Sequence, residues 1–432
     1  MSAAAPPVIR NWARNQAFTP SVVLRPRSVD ELRAAVLLAR GPLRVLGSLH
    51  SFSRAADPGV GGTALVLDGL AAAPALDARA GRVRVRASTS YGELAKALAG
   101  SGWALPNMAS LPHISVAGAV ATATHGSGLA LGNLATAVCG LEVVTGRGAL
   151  LSLRRDDGAA AWAAWPVHLG VLGAVYEVEL ALVRGFELAQ TVYENLPWEP
   201  TLAALRDVMG PGAGYSVSLF TRWADGGDGG GPVFDQCWRK RLSGDGDAPE
   251  AWRGGARARA ELHPLPGVSA APCTPQLGAA GPAHDRLPHF RLEFTPSSGE
   301  ELQTEYFVRF SDGADALRAV ARLRARIAPL LHITEVRAVA ADALWMSMCF
   351  ERESLALHFT WKAMPAEVAA LLPDIEAALA PFAPRPHWGK LFAMRDVGRL
   401  YPRLDDFRAL CAEHDPSGKF ASQWLREVGV VA

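Results

Sequence analysis

Between Leu105 and Asn133 the chain reads LPNMASLPHISVAGAVATATHGSGLALGN, a run dominated by Gly, Ala, Ser and Thr with few large side chains. Small residues bury little apolar area, so this segment packs little core of its own. What it offers is close approach of backbone to something else. It reads as the liner of a site for a bulky ligand, and the core has to come from the segments that flank it.

Those segments alternate strands and helices. SVVLRPRSVDELRAAVLLAR predicts a short strand, then Ser28 and Glu31 at capping-box spacing, then a helix. PLRVLG and ALVLDGL read as buried strands, RVRVRAS alternates at period two, and SYGELAKALAGSG predicts a short helix closed by glycine. GLEVVTGRGALLSL predicts a hairpin around Gly146 and Gly148, and GAVYEVELALV a strand leading out of the domain, with a boundary near residue 185. WADGGDGGGP, residues 223 to 232, suits a flexible surface excursion. Beyond it HFRLEFTP, TEYFVRFS, HITEVRAVA and LALHFTWKA read as strands, with helices in ADALRAVARLRARIAPLL and EVAALLPDIEAALAPF. That order predicts an antiparallel sheet with helices on one face, and an α+β fold for the whole.

The chain has 432 residues, enough for more than one domain with its own core. Its 43 Lys and Arg balance 42 Asp and Glu, so nothing electrostatic points to a nucleic-acid or membrane-surface partner. Small, nearly neutral ligands fit better. The five cysteines are scattered without metal or disulfide spacing and read as reduced thiols. No metal site is expected. The N-terminus lacks the layout of a signal peptide, and no apolar run approaches the roughly 20 residues that span a bilayer, so a cytoplasmic protein, expected to be a monomer, is the reading.

Common signatures are missing. GSGLALG, residues 126 to 132, carries one residue too many for a dinucleotide fingerprint and opens no convincing helix. There is no GxxxxGK[ST], HExxH or GxSxG. In VLGSLHSFS the chain leaves a strand at Gly47 and enters a turn whose N–H groups can face a pyrophosphate. His50 ends that turn. A neutral imidazole is a competent nucleophile and could bond to an electrophilic carbon of a cofactor; the plainer reading is a polar turn residue. His125 is read as a structural histidine on its residues alone.

Strand parity gives a second site. Glu335 and Arg337 share one face of HITEVRAVA, and His358 and Thr360 share one face of LALHFTWKA while Leu355, Leu357, Phe359 and Trp361 line the other. A half-buried sheet with a wet side explains this pattern. So does a polyol site, because a carboxylate, a guanidinium, an imidazole and a hydroxyl offer donors and acceptors together. PRPHWGKLF adds His387 and Lys390, the latter either a surface lysine or a positive charge where negative charge develops.

Taken in order, RVLGSLHSFS, NMASLPHISVAGAVATATHGSG, LPHFRLEFTPSSG, HFTW, RPHWGK, LYPRLDDF and DPSGKF resemble the vanillyl-alcohol oxidase superfamily, and more closely its alditol oxidases and sugar-lactone oxidases. The resemblance implies a two-domain flavoprotein: an FAD domain over residues 1–185 completed by 391–432, and a substrate-binding cap domain over 186–390. It implies FAD attached covalently through His50 by the flavin 8α-methyl carbon. Cofactor contacts are implied for Val45, Leu46, Gly47, Ser48, Leu49, Ser51, Ser110, Ser115, Gly118, Thr122, Ala123, Thr124, His125 and Val175, and for His387. Polyol contacts are implied for Ser110, Glu335, Arg337, Thr360 and Lys390, with His358 and Lys390 the candidates for accepting the hydroxyl proton. The expected reaction is oxidation of an alditol such as xylitol or sorbitol by O2 with release of H2O2. A sugar-lactone oxidase or dehydrogenase and a non-catalytic flavin-binding protein are the alternatives.

Overall fold

In the computed structural model, which describes residues 8–224, 232–246, 248–294 and 299–431, strand β1 (Val22–Leu24) runs into helix α1 (Val29–Leu38). The Ser28 hydroxyl accepts from Glu31 N at 3.1 Å, while the Glu31 carboxylate reaches Arg27 N instead of closing the reciprocal box. Strands β2 (Leu43–Leu46) and β3 (Thr63–Val66) then pair parallel with β1 in the order β1-β3-β2. β2 ends at Gly47, and the turn that follows is delivered by a buried strand.

Five further strands, β4 (Ala75–Asp77), β5 (Arg82–Arg86), β6 (Val138–Val144), β7 (Leu150–Arg154) and β8 (Ala174–Ala181), form an antiparallel sheet in the order β7-β6-β8-β5-β4. β6 and β7 are the expected hairpin, turning through Gly148 at φ +74°. Against these strands pack α2 (Tyr91–Leu98), opened by a complete Ser90–Glu93 capping box, and α3 (Val116–Ala121). α3 carries only small and β-branched residues. Its slender face is what lets the chain around it border open space.

The second half builds one large antiparallel sheet. Its central strands are β9 (Glu187–Pro197), β10 (Ser216–Thr221), β11 (Val233–Leu242), β12 (Glu301–Arg309), β13 (Leu331–Val339) and β14 (Ser354–Lys362), ordered β9-β11-β10-β13-β14-β12. Leu355, Leu357, Phe359 and Trp361 face helices α4 (Gly313–Ala321) and α5 (Pro365–Leu379) across a core with Leu317, Val320, Leu371 and Ile375. Each such fully buried side chain contributes roughly 1.5–3 kcal/mol. The helices lie on one face, as the alternation predicts.

One expectation changes. HFRLEFTP is not a strand through residue 294: His289 N and Phe290 N both donate to Ser110 O, and Arg291 N to Pro272 O, so its backbone is satisfied by loops. Residues 295–298 of that stretch, and 225–231 of the glycine-rich loop, lie outside the described residues. The C-terminal segment, with Val397, Phe407 and Leu425, packs into the same core as Leu94, Val120 and Val143. All five cysteines are free thiols. Among the described residues no helix is long and apolar enough to cross a membrane.

Candidate active site

A cavity of about 780 Å³ separates the 45–52 turn and the small-residue segment on one side from the polar face of the large sheet on the other. Val45, Leu46, Gly47, Ser48, Leu49, His50 and Ser51 line it from the turn. The turn is tight: Leu49 sits at φ +58° and its carbonyl accepts from Trp12 N at 2.9 Å. A Cβ on Gly47 would lie 2.4 Å from Ser115 Oγ, so a larger residue has to displace that hydroxyl from its bond to Ser48 N. Ser48 and Ser115 exchange reciprocal bonds, Ser115 N to Ser48 Oγ at 3.1 Å and Ser48 N to Ser115 Oγ at 3.3 Å. The Ser48 N–H is therefore not free for a phosphate, contrary to a simple nest. The bond instead locks the turn to the segment that begins α3.

His50 stacks on Trp12 with ring centroids 5.4 Å apart, and its Nδ1 donates to Ser48 O at 3.1 Å. Burial pushes the imidazole down to about 4, so it is neutral near pH 7. Its lone pair is then on Nε2, which is buried and has no partner.

Ser110, Ser115, Gly118, Thr122, Thr124 and His125 line the cavity from the small-residue segment, and Val175 from β8. Ala123 does not. It lies at φ +52° with its methyl fully buried in the core, while its neighbours Thr122 and Thr124 line the cavity. His387 and Lys390 line the cavity from the PHWGK segment, which bridges the two walls: Gly389 O accepts from Phe52 N at 2.7 Å, and His387 N donates to Glu305 O at 2.9 Å.

The sheet wall is built by register. Glu305 of β12, His358 of β14, Glu335 of β13 and Phe220 of β10 stand opposite one another in a single row across four strands. Gln303, Thr360 and Ile333 form the row on one side of it, and Phe307, Ala356 and Arg337 the row on the other. Arg337 donates to Glu305 at 2.6 Å and lies 3.5 Å from Ser110 Oγ. His125 Nε2 is 3.1 Å from Glu305, and His289 Nε2 is 2.8 Å from Glu335. Burial alone would push both carboxyls up, but Arg337 and the neighbouring histidines outweigh it and hold Glu305 and Glu335 below the ordinary carboxylate range.

Lys390 donates to Gln303 Oε1 and lies over the Phe52 ring at 4.8 Å; burial, opposed by Glu305, brings its pKa down to about 8. Since a lysine ammonium only donates, the Gln303 atom facing it is oxygen. The same oxygen lies 3.1 Å from His358 Nε2, which therefore carries the proton. Burial lowers the His358 pKa to about 3, leaving a neutral ring whose lone pair is on Nδ1, buried and without a partner.

Glu305, Gln303 and His289 are the residues that sequence reasoning missed. The signal for the first two was present, because Gln303 and Glu305 alternate with Leu302, Thr304 and Tyr306 just as Glu335 and Arg337 do on β13. His289 gave none, since its segment was read as a strand. Ligand atoms of His125, Glu305 and His387 lie within 4.8 Å of one another, a spacing that could hold a metal ion. Part of that set is already engaged: Glu305 Oε1 with Arg337 and His125, and His387 Nδ1 with Gly389 N at 2.9 Å.

Four residues that line the cavity carry unpartnered polar atoms. His50 Nε2, Glu305 Oε2, Arg337 Nε and His358 Nδ1 are all buried without partners, and all belong to lining residues. Each such atom costs about 1–3 kcal/mol unless something fills the space. The turn lining, a neutral histidine with an unpartnered Nε2 and a polar wall fit a flavin with a polar substrate beside it.

Comparison with known proteins agrees. Residues 20–154 match the family described as FAD binding domain, and residues 299–428 the family described as D-arabinono-1,4-lactone oxidase. The chain is 45% identical over 428 residues to an alditol oxidase of Streptomyces sp. (strain IKD472 / FERM P-14339), covering 97% of this chain and 98% of the relative. It is 27% identical to an L-gulono-1,4-lactone dehydrogenase of Mycobacterium tuberculosis, over 98% of this chain and 99% of that one. It is 25% identical to an L-gulonolactone oxidase of Bos taurus, over 97% of each. On the strength of the fold, the lined cavity and these matches, the chain belongs to the alditol oxidase family, within the vanillyl-alcohol oxidase superfamily of FAD-binding oxidoreductases.

Proposed function

We propose that this protein oxidises the terminal primary alcohol of an alditol such as xylitol or sorbitol to the aldose, reducing O2 to H2O2, so that RCH2OH and O2 become RCHO and H2O2. The observation that carries this reading is the sheet wall: donors and acceptors of both signs, buried and partly unpartnered, facing the same cavity as the turn that presents His50. A polyol brings a hydroxyl for each of them. A singly charged metabolite would leave one sign unmatched.

The 45–51 turn and the small-residue segment would hold FAD, with His50 as the covalent tether. When bound, the flavin supplies the two-electron acceptor for the hydride from C1 and the route to oxygen. The chain does the rest. Glu335, Arg337, Thr360 and Ser110 orient the hydroxyls, which fixes C1 in place. His358 is set to take the hydroxyl proton on Nδ1, because its Nε2–H is committed to Gln303. Lys390, protonated below about pH 8, places positive charge beside the oxygen as that proton leaves.

The match of residues 299–428 to D-arabinono-1,4-lactone oxidase favours a second reading, oxidation of a sugar lactone. Turnover of xylitol and of gulono-1,4-lactone with peroxide detection separates the two, and turnover of the lactone alone overturns the first. The tether has its own test. Acid-precipitated protein stays yellow and carries the mass of one FAD, whereas His50→Ala releases its pigment into the supernatant.

A further inference from the structure

Lys240 has no part in the site as described, yet it is built towards it. It lies on β11, 1% exposed, and the pairings Lys240–Ser216, Ser218–Arg337 and Phe220–Glu335 put it on the same face of the sheet as Glu335. No carboxylate touches it among the described residues. Its Nζ meets three acceptors instead: Leu287 O at 2.5 Å, Pro288 O at 3.3 Å and His289 Nδ1 at 3.3 Å. An ammonium has three N–H donors and no lone pair, so the three acceptors match that form one for one. A neutral amine could serve the two carbonyls only if His289 Nδ1 donated to its lone pair, which would leave Nε2 without a proton facing Glu335 Oε1.

This match sets the direction of the next bond. With Nδ1 accepting, the neutral His289 ring carries its proton on Nε2 and donates it to Glu335 Oε1 at 2.8 Å. The opposite tautomer would turn a lone pair on the carboxylate. His289 is held from a third side as well, its backbone N–H donating to Ser110 O at 3.0 Å. Charge closes too, because Lys240 and Arg337 balance Glu335 and Glu305 within one buried cluster.

We propose that Lys240 is a positioning residue for the substrate site: by fixing His289 as an Nε2–H donor it keeps Glu335 ionised and oriented towards the hydroxyls of the polyol. Burial lowers the Lys240 pKa to about 7, with Glu335 opposing and Arg337 adding a small push the same way. The proposal rests on the polyol reading above.

The test uses the FAD-loaded protein with xylitol as substrate and compares Lys240→Met, His289→Phe, His289→Gln and the Lys240→Met/His289→Phe double variant, each with its flavin content measured. Lys240→Met and His289→Phe should each raise KM by about tenfold while kcat moves much less, and the double variant should be no worse than His289→Phe alone, because coupled residues are not additive. His289→Gln should recover most of what His289→Phe loses, since its amide both accepts and donates. A nitrogen NMR spectrum of 15N-histidine protein, with His289 located by difference from His289→Gln, should show the Nε2–H tautomer in the natural chain and lose it in Lys240→Met.

An unchanged KM and tautomer in Lys240→Met, or fully multiplicative effects in the double variant, overturn the proposal. If Lys240→Met fails to fold, the contrast between His289→Gln and His289→Phe still decides, and equal losses in the two count against it. Absence of xylitol turnover in the natural chain would refute the polyol reading instead, while the nitrogen spectrum continues to test the link between Lys240 and His289.

Discussion

The two walls of the cavity recognise their ligands by different means. The turn wall works through backbone and small side chains: Gly47 where a Cβ would crowd Ser115 Oγ, Leu49 at positive φ, and a serine pair that joins two segments 67 residues apart. The sheet wall works through charged side chains drawn from three strands and held by register, with Glu305 and Arg337 paired where almost no solvent reaches. The first wall is a matter of shape. The second is a matter of charge balance, and removing one member leaves another stranded.

That contrast can be broken in order of expected effect. Arg337→Met leaves Glu305 buried without its strongest partner and should cost about 3–5 kcal/mol, read as a fall in unfolding free energy by chemical denaturation. The pH dependence gives the same residues a sign. Glu305 and Glu335 have folded pKa values below the unfolded value of about 4.3, so they stabilise the native state at neutral pH, and that contribution drains away as pH falls below about 4.3. Arg337→Met should therefore unfold at a higher pH during acid titration.

Lys390→Met should lower kcat by about 10²- to 10³-fold with flavin retained, the loss expected for one preorganised charge at a reacting oxygen. In the natural chain kcat should fall as pH rises through about 8, the range in which Lys390 loses its proton, and that alkaline limb should vanish in the variant. Gly47→Val acts on the other wall. It forces atoms into Ser115 and should cost about 1–3 kcal/mol of stability together with most of the bound flavin, measured by absorbance of the purified protein. Ser28→Ala lies away from both walls; loss of its cap on α1 should cost about 1 kcal/mol and leave turnover untouched.

The turn wall was legible because its signals are local. A strand, Gly47, Ser48 and His50 sit within a few residues, and the small-residue segment announces itself by what it lacks. Ala123, implied as a cofactor contact by the resemblance, does not line the cavity; its positive φ turns its methyl into the core, which composition does not show. On the sheet wall, parity found Glu335, Arg337, His358 and Thr360, because period two needs only one strand. It passed over Glu305 and Gln303, whose importance depends on which strand lies beside β14. His289 was out of reach, since its loop is placed by hydrogen bonds to Ser110 and Lys240, 179 and 49 residues away.

From its residues alone, then, this chain determined the α+β class, the cradle turn around His50 and one polar face on each of two strands, all consequences of short-range sterics and side-chain alternation. Strand order, the burial that keeps His358 neutral and leaves its Nδ1 without a partner, and the pairing of Arg337 with Glu305 were decided by the tertiary structure. Those properties depend on which distant groups share a volume without water, and energies of charge and desolvation are set by that volume and not by neighbours along the chain.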